Sequence, residues 1–145
     1  MTNKEYDELV KKHSKNSPLL KDTIFAFLIG GLICAIGQVI FEILVLNGIE
    51  ETNASSIVPI ILIFIGTLLT GLKIYDKIAK HAGAGTIVPI TGFANSIVAA
   101  AMEFKPEGYI LGIGAKMFVI AGPVLVYGIS ASVVYGLILV LFGGY

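Results

Sequence analysis

The sequence predicts an all-α integral membrane protein: a cytoplasmic amino-terminal tail (1–22), then a single transmembrane domain (23–145) of about four to five transmembrane or re-entrant helices. Three observations carry this expectation. Only 14% of the 145 residues are charged while 56% are hydrophobic, and the mean hydropathy is +0.89; soluble domains carry about 25% charged residues. Apolar runs near or above the roughly 18 residues that cross a bilayer recur along the chain. Two of these runs, around 82–96 and 108–123, are interrupted by glycine and proline, which predicts broken helices inside the membrane.

Each element follows from local pattern. The tail is polar and mixed in charge, with Lys4, Lys11, Lys12, Lys15 and Lys21. A first span runs from Thr23 to about Leu46; its length exceeds a signal-peptide core and no small-residue cleavage site closes it. A turn with Asn47, Gly48, Glu50 and Glu51 leads to a second span, about Ser56 to Leu72, continued by the polar helical end LKIYDKIAK. The third segment, about Ala82 to Phe104, holds HAGAGTIVPITGFANS and is the first broken one. A charged link (Glu103, Lys105, Pro106, Glu107) precedes an apolar stretch from Tyr109 to Phe142. As one helix its 34 residues would measure about 51 Å, against a hydrocarbon core of about 30 Å. The expected solution is a split near Gly122–Pro123: a broken or re-entrant piece (about 107–121), then a full span (about 122–142). Lysines flank the first span's start and the second span's end (Lys73, Lys77, Lys80), and the intervening loop has none. The positive-inside rule therefore places the amino terminus in the cytoplasm.

Composition also excludes classes of function. The net charge is zero, so nothing points to nucleic acid. Cys34 is the only cysteine, read as a small buried apolar group, and neither His13 nor His81 has ligand spacing. No metal, cofactor or phosphate-binding loop is expected, and no nucleophile–base pair suggests an enzyme; His81 near Asp76 reads as an ion pair in a surface loop.

The candidate functional residues lie where polar groups enter apolar segments. Gly83, Gly85, Pro89 and Gly92 interrupt the third segment, and a helix resuming near Thr91 would turn its unpaired N–H groups into the membrane interior. Thr91 and Asn95 share a face, as do Gly92 and Ser96; these are either pore-lining groups or packing residues of a helix contact. Gly108, Gly112 and Lys116 repeat at spacing four, with Gly122 and Pro123 beyond. Lys116 either faces a cavity as an anion attractor or reaches to the interface. In the first span, Ala26, Gly30, Cys34, Gln38 and Glu42 also recur at spacing four, suiting a close right-handed crossing; Gln38 and Glu42 line an aqueous path, or Glu42 marks the outer interface. Gly128, Ser132 and Gly136 give the last span a small-residue face. Ile57-Val-Pro-Ile60 recurs as Ile87-Val-Pro-Ile90, and FLIGGLICAIG (27–37) loosely matches FVIAGPVLVYG (118–128), hinting at a duplicated plan.

GGLICAIGQ (30–38), LTGLKIYDKIAKHAGAGTIVPITGFANSIVAAAMEFKPEG (69–108) and LGIGAKMFVIAGPV (111–124) resemble the stage V sporulation protein A family of endospore-forming bacteria, in its AC/AEb branch. The charged extension before the first span matches the longer type in that branch. The resemblance implies a protein of the forespore and spore inner membrane that moves dipicolinic acid, with calcium, during sporulation and germination. It further implies mechanosensitive channel behaviour and work alongside other products of the same operon (AD and AEb types), in a homo- or hetero-oligomer within membrane lipid. By position it makes the AGAG–VP–TGFANS block (82–96), Glu103 and Gly108 the family-patterned residues. If calcium travels with the anion, Glu42 or Glu103 would meet it. The competing expectation is a small packing or scaffold subunit without its own conduction path.

Overall fold

The computed structural model describes residues 2–13 and 18–143. Its elements are all helical: α1 (Asn3–His13), α2 (Leu19–Leu46), α3 (Glu51–Gly71), α4 (Tyr75–Ala82), α5 (Ala84–Ile87), α6 (Ile90–Glu103) and α7 (Ala115–Leu141), with a 3₁₀ turn at Lys105–Glu107 and a π-helical turn at Tyr109–Gly114. Three stretches are long and apolar enough to cross a membrane: Leu19–Leu46, Glu51–Gly71 and Tyr109–Leu141. The first two begin a turn or so earlier than their sequence patterns suggest, because helix continues through residues that apolarity alone would exclude.

α2 and α3 form an antiparallel pair, and both end on a left-handed residue that closes the last turn. Gly48 (φ 86°) closes α2, with its N–H on Val45 O at 2.9 Å and Ile49 N–H on Leu44 O at 3.1 Å. Lys73 (φ 58°) does the same for α3, with Lys73 N–H on Thr70 O at 2.9 Å and Ile74 N–H on Leu69 O at 2.9 Å. A lysine there accepts strain that glycine avoids.

The third segment breaks twice. Gly83 turns the chain at φ 49°, ψ −122°, and Pro89 is extended at ψ 159°. α6 has 14 residues, about 21 Å, short of a bilayer core. Its register against α3 gives its direction: Thr91 lies opposite Gly66, and Asn95 opposite Thr70. The two helices run parallel, so α6 returns to the end of the molecule that α4 left, and 82–103 folds back as a hairpin. Lys21, Lys73, Lys77, Lys80, Lys105 and Lys116 all lie at that end.

Glycines let the hairpin sit close. A Cβ on Gly66 would stand 3.2 Å from Thr91 Cα, and one on Gly30 would stand 3.2 Å from Gly85 Cα. A Cβ on Gly85 would collide with the backbone of Ala26, and one on Gly92 with the carbonyls of Thr86 and Ile87. The word Ile-Val-Pro-Ile therefore has two fates. Pro59 sits inside an unbroken α3 with helix on both sides of it, and one lost hydrogen bond is tolerated; Pro89 sits between backbones that approach through glycine, and the helix stops.

The expected split near Gly122 is corrected. α7 runs unbroken through Gly122 and Pro123. The irregular backbone lies upstream instead, where Gly108 has φ 99° and the π-helical turn follows. A Cβ on Gly112 there would collide with the Phe104 carbonyl. With that turn set aside, the 27 residues of α7 measure about 40 Å, close to α2, so no second break is needed. Cys34 is also corrected, since it is exposed. α7 packs chiefly against α6, and nothing lies within 4 Å of a Cβ placed on Gly128 or Gly136.

Gly85→Ala is expected to lower stability by about 1–3 kcal/mol through backbone overlap. Gly128→Ala, in open space, should change it by less than about 0.5 kcal/mol. Thermal unfolding of the detergent-solubilised chain, followed by far-UV circular dichroism, distinguishes them.

Candidate functional site

The hairpin is fastened by two polar contacts along its inner side. From α4, Tyr75 turns inward and is buried. Its hydroxyl donates to the Thr86 carbonyl at 2.8 Å and lies 2.9 Å from Thr91 Oγ1. A phenol has one proton, so Thr91 is the donor in the second bond. Thr86, only 1% exposed, directs its own hydroxyl to the Gly83 carbonyl at 3.0 Å. Tyr75 thus joins the last turn of α5 to the first turn of α6 across Pro89. Burial pushes its phenol above the usual 10, and the bond from Thr91 offsets part of that rise.

One turn along α6, Thr70 Oγ1 lies 2.7 Å from the Gly66 carbonyl and 2.8 Å from Asn95 Oδ1. One threonine proton cannot serve both acceptors. A half-turn of the Asn95 amide presents its NH₂ to Thr70 and satisfies the whole row. Beyond Thr70, toward the lysine-bearing end, lies an open cleft of about 420 Å³ lined by Thr70, Lys73, Asp76, Ala99, Met102 and Glu103.

The structure brings Thr91 and Asn95 onto the α3–α6 seam. Ser96 instead donates to the Phe93 carbonyl of its own helix at 2.7 Å. The Lys116 ammonium lies 4.2 Å from the centre of the Phe104 ring, a cation–π contact. Phe104 caps the far end of α6, so Lys116 sits about 20 Å from the amino terminus of that helix. The two do not form one anion site. Gln38 donates to Glu42 at 2.8 Å, and both are exposed on α2 away from the seam. Of that spacing-four row, Ala26 and Gly30 take the close contact, with Gly85 as partner. His81 Nδ1 donates to the Lys77 carbonyl at 3.0 Å, in place of the Asp76 pairing read from the sequence. Among the described residues no group of three His, Cys, Asp or Glu side chains is placed to hold a metal ion.

Sequence reasoning missed Tyr75, Thr70 and Thr86. Tyr75 and Thr70 flank a helix end that reads as solvent-facing, and Thr86 lies inside the glycine-rich word. The available signal was period: in Tyr75–Ala82 the apolar side chains fall on one face and Lys77, Lys80 and His81 on the other, which seats the tyrosine ring inward.

Comparison with known proteins finds a match over residues 22–138 to the family described as SpoVAC/SpoVAEB sporulation membrane protein. That description is of a membrane protein and not of an enzyme. The chain is also similar to stage V sporulation protein AC of Bacillus subtilis (strain 168), 44% identical over 141 residues, covering 95% of this chain and 94% of that protein. No solved structure matches.

Because the folded phenol ionises less readily than the unfolded one, its stabilising contribution is complete below about pH 10 and falls as pH rises through the folded value. Tyr75→Phe leaves the Thr86 carbonyl and Thr91 hydroxyl without their partner, and is expected to cost about 1–3 kcal/mol at neutral pH. The gap between wild type and Tyr75→Phe should narrow above pH 10. Unfolding midpoints at pH 7 and pH 10.5 provide the measurement.

Proposed function

The chain belongs to the SpoVAC/SpoVAEB sporulation membrane protein family, and from that premise we propose that it is a conduction component moving dipicolinic acid, with calcium, across the spore inner membrane in sporulation and germination. The observation that carries this reading is the hairpin of 82–103. Irregular backbone at membrane depth persists only where protein covers it or a cavity hydrates it, and broken intramembrane segments are the usual site of solute passage. Flow is passive and opens under membrane tension or a partner's signal; the chain has no GxxxxGK[ST] loop to couple nucleotide.

The cleft beside Asn95 is the entrance. Lys73, Asp76 and Glu103, all in its lining, suit a solute of both signs, and a dianion carrying a divalent cation is such a solute. Thr70 lies at its inner end, hydrogen-bonded to Asn95. Concentration of the lysines at one end supports a cytoplasmic position for that end and for the amino terminus. Three spans and one hairpin are too few to enclose a path, so the working unit is a homo- or hetero-oligomer with other products of the operon (AD and AEb types).

A packing role is the second reading, and one observation favours it: the hydroxyls of Tyr75, Thr86 and Thr91 are satisfied within the chain. Dipicolinate release from liposomes holding the chain with its AD- and AEb-type partners separates the two. Conduction predicts that Asn95→Ala assembles normally and changes dipicolinate flux by about tenfold or more, roughly 1.4 kcal/mol in a barrier. Unchanged flux through an intact Asn95→Ala complex would leave only the packing role.

A further inference from the structure

A second feature of the fold lies on the opposite side of the Tyr75 bridge from the cleft. α2, α3 and α4 surround a cavity of about 170 Å³ with Ile33, Leu62, Ile65, Leu69 and Ile78 on its walls. Tyr75, Thr86 and Thr91 form its floor. We infer that this cavity binds the tail end of a membrane lipid.

Three observations commit it to that occupant. Water finds no hydrogen-bond donor there, because the floor hydroxyl protons are already given to Thr86 O, to Gly83 O and to the Tyr75 oxygen, and a cavity whose walls are aliphatic stays dry. The mouth faces sideways: Leu32 and Ile36, which also line it, are 59% and 44% exposed. Leu32 is the fourteenth residue of the 28 in α2, so the mouth opens at mid-membrane, where acyl chains end. The size agrees as well, since a cavity of about 150 Å³ accepts benzene, and this one has room for about the last six carbons of a chain. The consequence is a direct contact between lipid and the bridge that holds the hairpin. The inference rests on the membrane-spanning arrangement and stands whether or not the chain conducts.

The test uses the full chain in vesicles of phosphatidylcholine and phosphatidylglycerol, doped with a phospholipid bearing a diazirine at the end of one acyl chain. After photolysis, adducts are mapped to residues. Exposed positions such as Phe27, Phe64 and Val126 will label in any case and serve as the control for native insertion. The expected result is additional labelling of Ile65 and Leu69 on the inner wall. Filling the cavity by Ile65→Phe, or independently its mouth by Ile36→Phe, should remove the Leu69 adduct and leave the outer pattern unchanged. Labelling confined to the exposed positions overturns the inference, and means that the cavity is empty or filled by a side chain of another subunit. Inner-wall labelling that survives both substitutions overturns it too, because the label would then arrive by another route.

Discussion

One constraint organises this molecule: a peptide group within hydrocarbon must find its hydrogen-bond partner inside the protein. The long helices meet it by themselves. The stretch 83–89 cannot, since Gly83 leaves helical geometry and Pro89 has no N–H. The Gly83, Ala84 and Pro89 carbonyls accept local backbone N–H groups, and the Thr86 carbonyl is served from outside the segment. Tyr75, delivered by an amphipathic helix at the membrane edge, reaches the Thr86 carbonyl, and the Thr86 side chain turns back on Gly83. The same phenol takes the hydroxyl of Thr91 across the proline. A single buried side chain thus supplies the donor that the Thr86 carbonyl lacks and ties the two sides of the break together.

That arrangement accounts for the glycines around it. A side chain serves a carbonyl only if the helices carrying them come close, and the closest approaches are Gly85 on Ala26, Gly66 on Thr91 and Gly92 on Thr86. Gly85 and Gly92 leave no room for a Cβ, and Gly66 would hold one only if Thr91 gave way by a few tenths of an ångström. Glycine in these contacts is a requirement of distance more than of dihedral freedom; within the hairpin, Gly83 is the glycine with a positive φ. Hydrogen bonding and packing therefore depend on one another, since widening any of these contacts also lengthens the bonds from Tyr75 and Thr70.

Local grammar made much of this legible in advance. Apolar runs marked the first two spans, and Gly83 with Pro89 marked a true break. The same grammar misplaced the second irregularity. Gly122–Pro123 resembles a break, yet proline inside a long apolar helix forfeits one hydrogen bond and the ladder closes around it. Gly108 and Gly112, beside a charged link, were the operative pair because there the chain must turn and pass the end of α6. The partners of the hairpin were hidden for another reason. Tyr75 and Thr70 lie 16 and 25 residues from the groups they meet, and no local pattern encodes a contact of that range. Lys116 was read by depth alone, and its neighbour Phe104 became apparent only once α6 and α7 were set side by side.

The satisfied hydroxyls bear on function in a way that separates two parts of the seam. The Tyr75–Thr86–Thr91 knot has every proton assigned, and a passing solute would have to break an internal bond to use it. Asn95 is different. Its amide meets Thr70 at one end only, and it stands one turn from a cleft whose walls carry both signs of charge. A solute that exchanges its hydration shell for protein groups needs donors and acceptors free to turn toward it, and along α6 the group that meets that condition is Asn95. The knot is then the fixed frame, and the Thr70–Asn95 pair the part able to change partners.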